Sequence, residues 1–142
     1  MEVSLVYASA ASRPFDAPEL AALLAGSRER NGKRGLTGML LYKDGWFMQV
    51  LEGEERAVQR TFRRISRDKR HRYVRVLAET PIAAREFPEW TMGFSEITDE
   101  SLREIPGYDG FLERASTGPS WATPSRARVL LDWFRLRPAD PS

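Results

Sequence analysis

The chain contains no cysteine and a single histidine. Without cysteine, disulfides, thiolate metal sites and thiol nucleophiles are excluded. With His71 as the sole imidazole, a metal centre built on clustered histidines is excluded as well. Long hydrophobic runs are also missing: nothing approaches the roughly 18 apolar residues that a membrane-spanning helix needs. The stretch from Met1 to Ser9 has neither a basic start nor a long apolar centre, so it does not read as a secretory signal. A cytoplasmic location is expected. Neither sign of charge is in large excess. The formal net charge is +2 over 142 residues, too little to argue for a nucleic acid or an anionic membrane as partner. The patterns G-x-S-x-G, G-x-G-x-x-G and the P-loop are absent.

What is present is the length of one ordinary domain with clear periodic segments. Val3–Ser9 reads as a strand. Asp16 is a candidate N-cap, with Glu19 three residues on to complete a capping box. Leu20, Leu23 and Leu24 then follow helical spacing to about Asn31, and Gly32 and Gly35 close the helix. Thr37–Tyr42 and Trp46–Glu52 are β-rich and flank Asp44-Gly45, a hairpin signal because type I′ turns need positive φ. From Glu54, the spacing of Val58, Phe62 and Ile65 predicts a second helix to about Arg67. Tyr73–Ala78 and Trp90–Ile97 read as fourth and fifth strands, the fifth carrying Trp90, Met92 and Phe94 on one face.

The order β-α-β-β-α-β-β predicts an α+β, ferredoxin-like mixed sheet with two helices on one face. Several strands are apolar on both sides, so the other face also needs a cover. The amphipathic stripe of Val129, Leu130, Trp133, Phe134 and Leu136 supplies one. Residues 1–97 are therefore read as one unit and residues 98–142 as a helical extension packing on the sheet.

Two polar residues stand out within apolar strands, Tyr7 and Gln49. A buried, unpaired glutamine amide costs about 1–3 kcal/mol, so Gln49 is expected to have partners. First and third strands are neighbours in a ferredoxin-like sheet, which lets the two side chains meet. On spacing alone, a satisfied core Tyr–Gln pair accounts for them. Asn31 ahead of glycine suits a helix end, and Trp90 and Met92 suit a core. The basic run from Arg63 to Arg72 suits a solvated helix terminus; a phosphate or ribityl contact is its second reading and a nucleic-acid surface its third.

Together these segments resemble one family. Leu5-Val6-Tyr7-Ala8-Ser9, Asn31-x₃-Gly35-Leu36-Thr37-Gly38, Leu40-Leu41-Tyr42, Phe47-Met48-Gln49-Val50-Leu51-Glu52-Gly53, Arg67-Asp68-x-Arg70-His71 and Phe87-Pro88-x-Trp90-x-Met92 are similar to the BLUF family, blue-light sensors using FAD. The likeness runs in order over residues 1–97. It implies a non-covalently bound flavin, FAD with FMN or riboflavin as alternatives, and no cysteine adduct. Tyr7 matches the tyrosine that gives an electron and proton to the excited flavin, and Gln49 the glutamine bridging that tyrosine to the flavin. Asn31 matches the asparagine at the polar edge of the ring, with Arg30 beside it. Ile65 matches a position packing on the ring, Leu24 a further cofactor-binding position, and Asp68 and Arg70 positions near the ribityl chain. Trp90 and Met92 match the signal-relay pair, and Ser9 a serine close to Trp90 or its alternatives. The resemblance also implies no enzymatic output module, signalling to a downstream partner protein, and a homo-oligomer, dimer or higher. The alternatives are a flavin-free ferredoxin-like ligand-binding or interaction module and, third, an acylphosphatase-type enzyme. For the enzyme, Ala10-Ala11-Ser12-Arg13 offers an arginine without a glycine-rich cradle.

Overall fold

Alternation along the first strand sets the two faces of the sheet. In β1 (Glu2–Ala11), Val3, Leu5 and Tyr7 are buried on one side, Val6 and Ala8 pack on the other. The computed structural model describes residues 1–13, 15–43, 45–88, 90–96 and 131–133. After β1 come α1 (Ala17–Arg34), β2 (Thr37–Lys43), β3 (Trp46–Glu54), α2 (Glu55–Arg67), β4 (His71–Pro81) and β5 (Gly93–Glu96). The sheet runs β4-β1-β3-β2-β5. All pairings are antiparallel except β2 with β5. This is the expected ferredoxin-like order with a fifth strand added beside β2.

Local chemistry accounts for the helix that carries much of the site. Asp16 accepts a hydrogen bond from Glu19 N at 2.8 Å, and the Glu19 side chain accepts one from Asp16 N at 3.3 Å. The predicted capping box is thus formed, a feature worth about 1 kcal/mol. Gly32 does not end α1 as expected; the helix runs through it to Arg34. Gly35 is the terminator, at φ 68°, in the left-handed region that glycine adopts without a side-chain penalty.

The helices cover one face. Leu20, Leu23 and Leu24 of α1 and Val58 of α2 pack on Val3, Leu5, Tyr7, Phe47 and Leu51. On the other face Ala8, Met39, Leu41, Met48 and Val50 form a second cluster, joined by Leu77, Phe87 and Leu131. Residues 131–133 are helical, and Leu131 and Trp133 pack with this second cluster. Val129, Leu130, Phe134 and Leu136 lie outside the described residues, as does most of the 98–142 extension.

The fifth strand differs from expectation. It starts at Gly93, so Trp90 and Met92 precede it and do not share a face. Trp90 N donates to Phe87 O at 3.2 Å, closing a turn, and Gly38 N donates to Trp90 O at 3.0 Å. The Trp90 ring folds back over Gly93, where a Cβ would lie 2.6 Å from Cε3. Trp90 therefore packs on the outer cluster, whereas Met92 is buried in the helix-side cluster. Period-two reasoning failed here because the segment is a turn held by single backbone bonds, not a ladder.

Candidate functional site

The register of β1 and β3 places Tyr7 directly opposite Gln49. Both side chains lie on the helix side and are buried. The Tyr7 hydroxyl donates to Gln49 Oε1, and Gln49 Nε2 donates to Met92 Sδ at 3.3 Å. The phenol is fully desolvated, with the Asp68 charge adding to the effect, and both drive its pKa far above the usual tyrosine range. Tyr7 therefore keeps its proton at any physiological pH.

The pair forms the floor of a slot between α1 and α2, enclosing about 530 Å³ including its open mouth. Leu23, Ser27, Arg30 and Asn31 line it from α1, at positions one and two turns apart on one stripe. Thr61, Arg64 and Ile65 line it from α2, Asp68 and Arg70 from the turn that follows, and His71 from the start of β4. Asn31 is buried, and its Nδ2 donates to Thr91 O at 2.7 Å. The side-chain carbonyl and the second Nδ2 hydrogen are then what Asn31 has to offer a group in the slot.

The mouth is charged. Asp68 accepts from Arg70 Nε at 3.0 and 3.1 Å and from Arg70 Nη2 at 2.6 Å. These bonds hold the Asp68 carboxyl down at about 2. Arg30 is pushed below the usual arginine range, first by burial and then by Arg64, Arg70 and Arg34. His71 is also pushed down, chiefly by burial, and its Nδ1 lies 2.9 Å from Ser9 Oγ.

Of the residues singled out from sequence, Tyr7, Gln49, Asn31, Arg30, Ile65, Asp68 and Arg70 converge on the slot. Leu24 does not line it: the adjacent Leu23 does, and Leu24 packs in the core beside Leu20. Ser9 is not near Trp90. It lies on the helix side with His71, while Trp90 packs on the opposite face. Ser27 and Thr61 were not singled out from sequence, and Arg64 and His71 entered only as members of the basic run. Ser27 lies four residues after Leu23 and Thr61 four before Ile65, spacings that place each on a slot-facing stripe.

Residues 3–93 match the family model BLUF, sensors of blue-light using FAD. The chain belongs to the BLUF family. Among BLUF relatives, photoactivated adenylate cyclase subunit beta of Euglena gracilis is 36% identical over 104 residues, covering 72% of this chain and 12% of that protein. The present chain thus spans only about an eighth of such relatives. The solved structure of BlrB, a BLUF protein in its dark state, is 31% identical with a TM-score of 0.79 and 96% coverage of both chains. That of BlsA in its ground state is 27% identical with a TM-score of 0.80, covering 96% of this chain and 89% of the other. FAD is the BLUF cofactor, and the slot suits a flavin. Its walls are part apolar and part polar, and its buried end offers two amide side chains, Asn31 and Gln49, to a ring with both donors and acceptors.

Proposed function

We propose that this BLUF domain senses blue light through a hydrogen-bond relay running from Tyr7 through Gln49 to Met92. The observation that carries this reading is the buried chain of bonds from the Tyr7 hydroxyl to Gln49 Oε1 and from Gln49 Nε2 to Met92 Sδ. When bound, a flavin supplies the blue-absorbing group and, once excited, a strong oxidant.

The protein's own part follows from its atoms. Tyr7 is neutral, so an electron leaves it readily only if its proton leaves with it, and the acceptor in place is Gln49 Oε1. Gln49 carries a donor and an acceptor on one amide, so a half-turn exchanges them. After such a turn Nε2 faces the Tyr7 oxygen, which accepts. Oε1 then faces Met92 Sδ, which has no hydrogen to give. The bond to Met92 is lost, and the 90–92 segment loses one of its ties. Further ties include Arg28 Nε to Met92 O at 2.9 Å, Asn31 Nδ2 to Thr91 O and Gly38 N to Trp90 O. The roles assigned to Trp90 and Met92 thus divide. Met92 receives the change on the helix side, and Trp90 carries it to the outer face.

We also infer a sensor without catalytic chemistry of its own, acting on a partner protein. Among the described residues the one carboxylate lining the slot, Asp68, is occupied by Arg70 and is poorly placed to act as a general base. An oligomer of the chain, a dimer or larger, fits the exposed Tyr73 and Val76 on edge strand β4.

A dark-minus-light visible spectrum tests the relay. The wild type is expected to show a reversible red shift of the flavin band. Gln49→Leu and Tyr7→Phe, both loaded with flavin, are expected to lose it. A normal photocycle in either variant overturns the assignment.

A further inference from the structure

Beyond the slot, α2 carries a feature that the relay does not use. Arg60, Arg63, Arg64 and Arg67 recur at i, i+3, i+4 and i+7, which places them on one arc of the helix about 100° wide. They line a second cleft together with Asp68. Arg64 and Asp68 line the slot as well, so the two are continuous at its mouth. The carboxylate at this junction is taken up by Arg70 in a two-pronged pair. None of the four arginines makes an ion pair among the described residues. Across the mouth, Arg30 adds further positive charge. Attraction to the helix C-terminus accounts for Arg64 and Arg67 in the last turn. It does not account for Arg60 and Arg63, which lie outside that turn.

Four guanidinium groups without a counter-ion, beside the open end of a cofactor slot, form a seat for a doubly charged phosphate group. We propose that this arginine arc binds the phosphate end of a flavin nucleotide, the monophosphate of FMN or the diphosphate of FAD, and so selects nucleotide forms over riboflavin. The inference rests on flavin occupying the slot. The ring is gripped by the slot and the phosphate by the arc, so the two contributions separate on mutation.

Flavin-free protein titrated with riboflavin, FMN and FAD, followed by quenching of flavin fluorescence, tests this. FMN and FAD are expected to bind about tenfold or more tighter than riboflavin at low salt. That preference should shrink severalfold near 1 M salt, where screening reaches about 3 Å. The triple variant Arg60→Gln/Arg63→Gln/Arg67→Gln touches only the outer cleft. It is expected to lose the preference while binding riboflavin as the wild type does, which also reports its fold. Equal affinities for the three flavins in the wild type, a preference insensitive to salt, or a preference retained by the variant overturns the proposal. The salt series needs no variant and decides the matter even if the triple change disturbs folding. Failure of all three flavins to bind overturns the flavin reading itself and this inference with it; binding without preference overturns only the arginine seat.

Discussion

Gln49 has one partner on each side, and they differ in kind: the Tyr7 hydroxyl can give or accept a hydrogen, whereas the Met92 thioether can only accept. In the relay proposed above, this asymmetry is what makes an amide turn a signal. Met92→Leu keeps the apolar volume and removes the acceptor. We expect fold stability within about 1.5 kcal/mol of wild type. Dark recovery, measured as decay of the red-shifted absorbance, should slow about two- to fivefold, because a net bond of roughly 0.5–1 kcal/mol held in the dark form is gone. A second prediction concerns His71. Burial depresses its pKa below 6.5, so the unfolded chain binds more protons just below that pH. Its contribution to stability is therefore present above about pH 6.5 and lost as pH falls through the lower folded value. Melting temperatures recorded from pH 8 to 5 should fall more steeply for wild type than for His71→Gln; parallel curves would count against it.

At the scale of elements, the connection before β5 depends on one buried carboxylate. Glu52 of β3 accepts from Glu86 N at 2.8 Å and from Phe87 N at 2.9 Å, and from the Thr37 hydroxyl at 3.4 Å. Arg85 adds a pair to Glu2 at 2.5 Å. Glu52→Ala leaves two backbone donors without their acceptor and should cost about 3 kcal/mol in urea denaturation, with amide exchange at Glu86 and Phe87 speeding up. Gly38 is constrained differently. A Cβ there would lie 1.9 Å from Val50 O, so Gly38→Ala forces β2 and β3 apart and should cost more than about 4 kcal/mol. The Leu36-Thr37-Gly38 motif thus reads as a packing and anchoring device, not as chemistry. The capping box, the hairpin and both helices were legible because they rest on contacts a few residues apart. The start of β5 was not, because Gly38 and Gly93 form its long-range seat.

For the molecule as a whole, the 90–92 segment packs on both faces of the sheet. Met92 sits among the helix-side residues and Trp90 packs on the cluster that includes Leu131. Trp90→Ala should leave the light-induced colour shift intact, since Trp90 does not reach Gln49. It should alter light-dependent hydrogen exchange over residues 98–142. Unchanged exchange there would remove Trp90 from the relay.

Composition and order carried the fold class, the family and most of the slot, because periodicity, caps and turns are local and because an apolar strand makes a lone polar residue conspicuous. The partner of Gln49 beyond Tyr7, the separation of Trp90 from Met92, the bond of Ser9 to His71 and the choice of Leu23 over Leu24 came from the packed chain. Each depends on which residues, tens of positions apart, the sheet and its two helices bring within a few ångströms, and no spacing along the chain encodes that distance.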